Sequence, residues 1–555
     1  MRAVSWSVLL VFAAGCGGED AGPVQAVGSS GSSGSSGTVS TVCRAQPLVQ
    51  LAAPVADARG RKPFGIVVDL RDSGGMRGPH PLKVVFSKGE TIIKVLGDSA
   101  HEPGPVTLAL DPAVTRDLET GGYTITATAG CPAGASESKP GEAKAPLYLA
   151  RLGMTQLDVR AGDGARVDLM YHAVDKQVGN VFPIGSAVAS RMAIGAGEAD
   201  LDDANGALRT FPKPWADLDS PPVDDNGVVV EDGVTFPVSL RVGTKPDLVF
   251  SPAKTAQGSN TGQRLQPTGL GDAAAPPVRV VVEGTPAAES SIVKAGEPVT
   301  VRMAASPVPS VARVEQAFRW HFEAKAADGK WSEVPGSDQE VTVRLYGVLG
   351  NTQGTAAPEL PWVAVVDDAT AAVKGTANDA AGTRAALVRH IYEEMGLSYD
   401  RAQGASHYTA YAGSYSNASF RLARFLKRSS GSIVNCSDCA SILSTYSNMV
   451  GAELKYTIIL SGFNLNPILG IGATTFGSPF NSGRLSFSYH AVTSDDAAAT
   501  IYDATLAVDG DTTPAEAPYM KKLVQGMSGT EYLQRLSGDP RAKYTYVDQT
   551  TSVAF

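Results

Sequence analysis

Short β-branched or alternating runs, each closed by Gly, Pro or Asp, recur from residue 42 to about 345 and then stop. Runs at 63–70, 82–86 and 122–127 have the length and turn punctuation of sandwich strands. A second set begins at 147–171 and closes with 238–242 and 247–250. A third, smaller set lies at 278–282, 299–303, 317–323 and 341–346. These patterns predict Ig-like β-sandwich modules at 42–146, 147–250 and 277–347, with a Gly/Pro/Ala-rich linker at 251–276. No strict repeat joins them. The chain has 555 residues, and at roughly 100–200 residues per domain such a length accommodates several domains.

The first sixteen residues are read as a targeting segment. Arg2 supplies the positive charge, 4–14 is an apolar stretch of signal-peptide length, and Ala13-Ala14-Gly15-Cys16 places small residues before a cysteine. The sequence resembles a lipobox, in which Cys16 is lipidated and becomes the first mature residue; an ordinary signal peptide with an incidental Cys16 is the alternative. Residues 17–41 are Gly- and Ser-rich and cannot bury a core. They form a tether spanning on the order of 27 Å for ~25 residues. Gly17 after Cys16 points to the outer membrane or cell surface of a Gram-negative bacterium. No later apolar run reaches the ~18 residues needed to cross a bilayer. The net charge of −9 leaves no basic surface for nucleic acid.

Four further cysteines remain. Cys43 and Cys131 bracket the first β module and pair as a disulfide if the compartment is oxidising. The acidic stretch 200–206 fails the EF-hand pattern, because its fifth position is Ala204. It reads as a solvated loop.

After residue 350 the periodicity becomes helical. Helices are expected at 379–395, 418–427 and 436–450, with strands at 456–460, 485–493 and 500–505. Helices followed by an antiparallel sheet make an α+β domain, at 348–555. Cys436 opens the third helix, where free N–H groups and the helix dipole favour a thiolate. Cys439 falls on a stripe with Leu443, Tyr446 and Val450 and is read as packing. A redox pair would need a thioredoxin-like order, and zinc would need two more ligands; neither context is present.

Seven histidines are candidates for a base. His490 lies on an alternating run, and 500–503 returns as a strand after the loop 494–499. In that hairpin Thr493 pairs with Thr500 and His490 with Asp503, which sets the carboxylate to orient the imidazole. His390 and His407 lack such a partner in sequence.

Cys436-Ser437-Asp438-Cys439-Ala440-Ser441-Ile442-Leu443, with Gly451 fifteen residues after Cys436, resembles the nucleophile helix of the transglutaminase-like superfamily. His490-Ala491 and Ile501-Tyr502-Asp503 resemble its other two motifs. The resemblance covers roughly 348–515, with Cys439 in place of the usual aromatic, Val492 in place of Trp and Ala504 in place of Pro. It implies a Cys436–His490–Asp503 triad and a papain-like cysteine mechanism through a thioester on a carboxamide or peptide carbonyl. Part of the oxyanion stabilisation would come from the Cys436 N–H, with Asn435, Tyr399 and Tyr408 as side-chain donor candidates. No metal or cofactor is required. The implied partner is a protein or peptide substrate, cell-wall peptide included, acted on as a peptidase, amidase or transamidase. The competing expectation is a non-enzymatic surface lipoprotein whose β modules bind partners around an inert scaffold.

Overall fold

A computed structural model describes residues 42–58, 62–74, 78–150, 152, 156–161, 166–167, 191–193, 238–251, 275–283, 299–350, 363–411, 418–495, 500–545 and 552–554. Cys16, the tether, the acidic stretch at 200–206 and most of the expected linker lie outside these residues. No helix among the described residues is long and apolar enough to cross a membrane.

The first module is a β-sandwich. One sheet has the order Gly104–Leu110, Phe64–Asp72, Val42–Leu51, Glu137–Lys139. The other runs Val55–Asp57, Gly141–Ala150, Gly121–Ala129, His80–Lys88, Thr91–His101. Alternation sends Ile66, Val68 and Leu70 inward from one sheet, against Leu82, Val84 and Ile125 of the other. A disulfide joins Cys43 to Cys131. The expected boundary at 146/147 falls inside a strand: Gly141–Ala150 pairs with Gly121–Ala129 from Ala129↔Gly141 to Gly121↔Leu149. The module therefore runs to Ala150.

The strands expected in two further modules share sheets. Asp247–Ser251 pairs antiparallel with Val299–Arg302, and Val238–Arg241 pairs parallel with Gln339–Val348. Together they bury Leu240, Leu248, Val280, Val301, Phe318 and Trp320 in one cluster. Strands on either side of the expected linker at 251–276 therefore lie in the same sheets.

The C-terminal part is α+β. Helices α1 (Val363–Val373), α2 (Ala380–Arg389), α3 (Cys436–Met449) and α4 (Gly529–Leu536) accompany an antiparallel sheet. Its strands β1 (Lys455–Leu460), β2 (His490–Ser494), β3 (Thr500–Asp509), β4 (Lys521–Ser528) and β5 (Lys543–Thr545) are ordered β3-β2-β1-β5, with β4 beside β3. Helix α2 starts at the Asp379 cap, but the helix expected to continue to 395 changes to a π-helical turn at His390–Glu394. The helix expected at 418–427 is instead a strand, Ala418–Arg421, followed by one short turn, Leu422–Leu426. Phe420 pairs with Thr409 across that strand, and Leu422 and Phe425 are buried beyond it. A short apolar run satisfies either period until a pairing partner decides. The strand expected at 485–493 is interrupted between Ser486–Phe487 and β2.

Every residue of α3 is buried, so this helix is the centre of the domain. It ends in a Schellman arrangement. Ala452 N–H donates to Ser447 O (2.8 Å) and Gly451 N–H to Asn448 O (3.1 Å), with Gly451 at φ 75°. Leu349 N–H donates to Val450 O (2.9 Å), bringing the preceding sandwich against this end. A Cβ on Gly451 would lie 2.5 Å from Gly350 N. Gly451→Ala is therefore expected to cost about 2 kcal/mol or more, from both the left-handed backbone and the collision. Thermal unfolding followed by circular dichroism should show the drop; an unchanged Tm would refute this account of the helix end.

Candidate functional site

The site grows from the N-terminus of α3. Asn435 caps it, its Oδ1 accepting from Asp438 N–H (3.0 Å), while the Asp438 carboxylate takes Asn435 N–H (3.3 Å) in return. This reciprocal capping box fixes the first helical position. Cys436 occupies that position, 4% exposed. Asp438 does more than cap. It also accepts from Ser406 Oγ (2.6 Å), His407 N (2.8 Å), Tyr408 N (2.9 Å) and Thr409 N (2.7 Å), tying the 406–409 loop to the helix.

His490 stands at the start of β2, opposite Ile459 of β1, with Phe487 stacked on its ring at 5.3 Å. Its Nε2 is 3.0 Å from Asp503 Oδ2, and both side chains are buried. The hairpin register differs from expectation: Thr493 pairs with Tyr502 and Ser494 with Ile501. Asp495 is the cause. Its N–H donates to Thr500 O (3.1 Å) and its carboxylate accepts Thr500 N–H (3.2 Å), so the ladder continues through residue 495. The shift of two residues keeps His490 and Asp503 on one face, because strand side chains alternate with period two. They meet diagonally rather than directly across.

The other ring nitrogen, Nδ1, is buried without a hydrogen-bond partner, and Cys436 is among the groups that act on the imidazole. Burial opposes the charge on His490. Asp503 overrides it through charge and hydrogen bonding, Cys436 adds to the effect, and the imidazole pKa is pushed up to about 9. Cys439 is fully buried in the main core, and burial followed by the Asp438 charge raises its thiol pKa well above the ordinary value. The two cysteines thus occupy different environments.

The three oxyanion candidates separate. Asn435 has both amide ends engaged, its Nδ2 donating to Gly404 O at 3.0 Å. Tyr408 donates to Gly431 O and accepts from Ser430 N–H (3.2 Å). The Tyr408 hydroxyl proton is committed to Gly431 O, while the Asn435 amide keeps a second N–H beyond the one given to Gly404 O. Tyr399 lies on a two-residue strand paired with Ile433–Val434, which leads directly into Cys436. Burial, then the Cys436 charge, raises its phenol, so it remains a neutral donor. Sequence reasoning missed a hydroxyl cluster beside the thiol. Tyr411 Oη donates to Ser437 Oγ (2.6 Å) and lies 2.6 Å from Tyr456 Oη, and Ser437 Oγ lies 3.1 Å from Tyr489 Oη. No spacing in the chain signals it. His390 and His407 do have carboxylate neighbours, Glu394 and Asp368 for the first and Asp400 for the second. They lie on separate segments from the thiol. Among the described residues the one cluster with metal-ligand types within reach is Cys43, Asp72 and His80, and Cys43 is in the disulfide.

No protein-family model and no curated protein matches this chain. Among solved structures, the fibronectin(III)-like modules of Clostridium thermocellum CbhA align over 54% of this chain and 95% of theirs, at 12% identity and a TM-score of 0.15. The D0-D1 domain of intimin aligns over 55% of this chain and all of its own length (100%), at 7% identity and a TM-score of 0.14. Likenesses at these scores do not bear on the site, and the β-sandwich assignment rests on the sheets themselves.

A pKa raised in the folded state gives stability that is fully present below the unfolded histidine value, roughly 6.5, and is lost as pH rises through about 9. Unfolding measured from pH 6 to 10 should therefore show a loss above neutrality that His490→Gln abolishes. An identical pH dependence in the variant would remove His490 as its source.

Proposed function

We propose that the C-terminal domain is a transglutaminase-like cysteine acyl-transfer enzyme, with Cys436 as nucleophile, His490 as acid–base and Asp503 as the group that orients it. The observation that carries this reading is the buried His490–Asp503 pair, Nε2 to Oδ2 at 3.0 Å, together with a cysteine at a helix N-terminus that acts on the same imidazole. The chain order Cys, His, Asp and the helix-then-sheet order support the family resemblance noted in the sequence.

The raised His490 pKa favours an imidazolium at neutral pH, and a helix N-terminus with a cation beside it suits a cysteine that reacts as the thiolate. The thiolate sulfur bonds to a carboxamide or peptide carbonyl carbon, and the carbonyl electrons move to oxygen. Tyr399 and the Cys436 N–H, which has no acceptor within the helix, are the donors proposed for that oxygen. The tetrahedral intermediate collapses with loss of the C–N bond, and His490 gives its proton to the leaving amine. Water or a second amine then attacks the thioester, His490 takes the proton, and the C–S bond breaks to restore the thiolate. No step calls for a metal or cofactor. The substrate is a protein or peptide, such as cell-wall peptide, and the β-sandwich modules present the domain to it.

Export and lipidation at Cys16 complete the proposal, placing the enzyme on a membrane facing an oxidising compartment. The Cys43–Cys131 disulfide suits that setting. Cys16→Ala should release the protein from the membrane fraction on ultracentrifugation; continued membrane association would rule out the lipid anchor.

Iodoacetamide should alkylate Cys436 at least about tenfold faster than a free thiol near pH 7, with Cys439 protected by burial. His490→Gln should lower that rate, and any amidase or transamidase activity, by about 100-fold or more. Labelling no faster than a free thiol, with peptide-library turnover unchanged by Cys436→Ala, would leave the inert scaffold in its place.

A further inference from the structure

Four donors converge on the Asp503 carboxylate. Thr505 N–H (2.7 Å) and Leu506 N–H (3.3 Å) donate to Oδ1. His490 Nε2 lies 3.0 Å from Oδ2, and Tyr532 Oη donates to that same oxygen at 2.6 Å. Tyr532 is fully buried and comes from α4, an element otherwise remote from the nucleophile helix. A buried phenol needs a partner, and other acceptors would satisfy it as well. Here it is spent on the one oxygen that faces the imidazole.

We propose that Tyr532 is a positioning residue: its hydroxyl fixes the Asp503 oxygen that receives His490 and shares that oxygen's charge with the imidazole. The proposal rests on the cysteine-enzyme reading above. Two donors on one oxygen leave the imidazole a single direction of approach, and Thr505 and Leu506 prevent the carboxylate from rotating away. The phenol's hydrogen bond also takes up part of the charge on Oδ2, so the hydroxyl weakens the hold of Asp503 on the imidazolium proton. Tyr532 thereby limits how basic His490 becomes, and a base that must return its proton to a leaving amine works best near the ambient pH.

The titratable groups that act on His490 are Asp503 on β3 and Cys436 on α3, with Tyr532 on α4 joined to it through the Asp503 oxygen. Tyr544 of β5 acts on Tyr532, while the Asp503 charge also acts on Tyr392 and Cys439. Each is retained in the variants below, so a shift reports the phenol.

The test follows the His490 ring nitrogens by NMR in the full chain carrying 15N-histidine, the signal being the one lost in His490→Gln. Tyr532→Phe should raise the His490 pKa by about half a unit or more, roughly threefold in the protonation equilibrium. 3-Fluorotyrosine at position 532, a stronger donor, should lower it. Opposite shifts are the expected result, and the alkaline limb of Cys436 alkylation should follow them. An unmoved His490 titration in either folded variant, or shifts of the same sign, would overturn the proposal. If Tyr532→Phe fails to fold, the fluorinated protein, altered by one atom, still decides. Opposite NMR shifts with ordinary Cys436 reactivity would instead keep the Tyr532 role in the hydrogen-bond chain and discard the enzyme.

Discussion

The buried carboxylate of Asp438 is the interaction on which the C-terminal domain turns. A charge removed from water is tolerated only where hydrogen bonds replace the water, and this one receives five: from Ser406, from three successive backbone N–H groups and from Asn435. Each buried backbone donor left without an acceptor would cost about 1–3 kcal/mol. The loop at 406–409, the helix cap and the helix itself are therefore fixed as one unit. Cys436 is held two residues from that carboxylate, in a place set by its neighbours' polar bonds more than by contacts of its own.

The far end of the same helix meets the preceding β-sandwich. Tyr446 donates to Asp368 of α1 (3.0 Å), and Tyr346 of the sandwich donates to Asp367 (2.7 Å), so adjacent acidic residues on one helix face both ways. Arg313 adds an ion pair to Asp367 at 2.9 Å. A single apolar cluster runs from Val159 of the sandwich to Leu536 of the α+β part. A rigid mount of this kind suits a site whose three side chains must stay within hydrogen-bond reach. It also explains why two sets of strands that look like separate modules in sequence close together: the sheets take strands from both, and α1 covers the result.

Much of the candidate site was legible because it is local. The helical period from Cys436 onward placed the start of α3, and the Asn435–Asp438 capping box is the local contact that fixes it there. The stripe of Cys439, Leu443, Tyr446 and Val450 follows from the helical period, and all four are buried. Alternation placed His490 and Asp503 on one face, which survives the two-residue error in register because that error is even. The error itself came from Asp495, whose side chain extends the ladder in a way that no propensity encodes. The helix expected at 418–427 failed for a related reason: Phe420 found a strand partner in Thr409.

The sequence by itself determined the kinds of unit present, the cysteine at a helix start and the face shared by His490 and Asp503, since each depends on spacing along one segment. Tertiary structure alone decided which strands share a sheet, that Asn435 and Tyr408 donate to loop carbonyls, and that Ser437, Tyr411, Tyr456 and Tyr489 gather beside the thiol. It also decided that Tyr532, 29 residues beyond Asp503, completes the carboxylate's shell. Hydrogen bonds between distant segments leave no period in the sequence; their only requirement is that a buried polar atom find a partner, and folding chooses which.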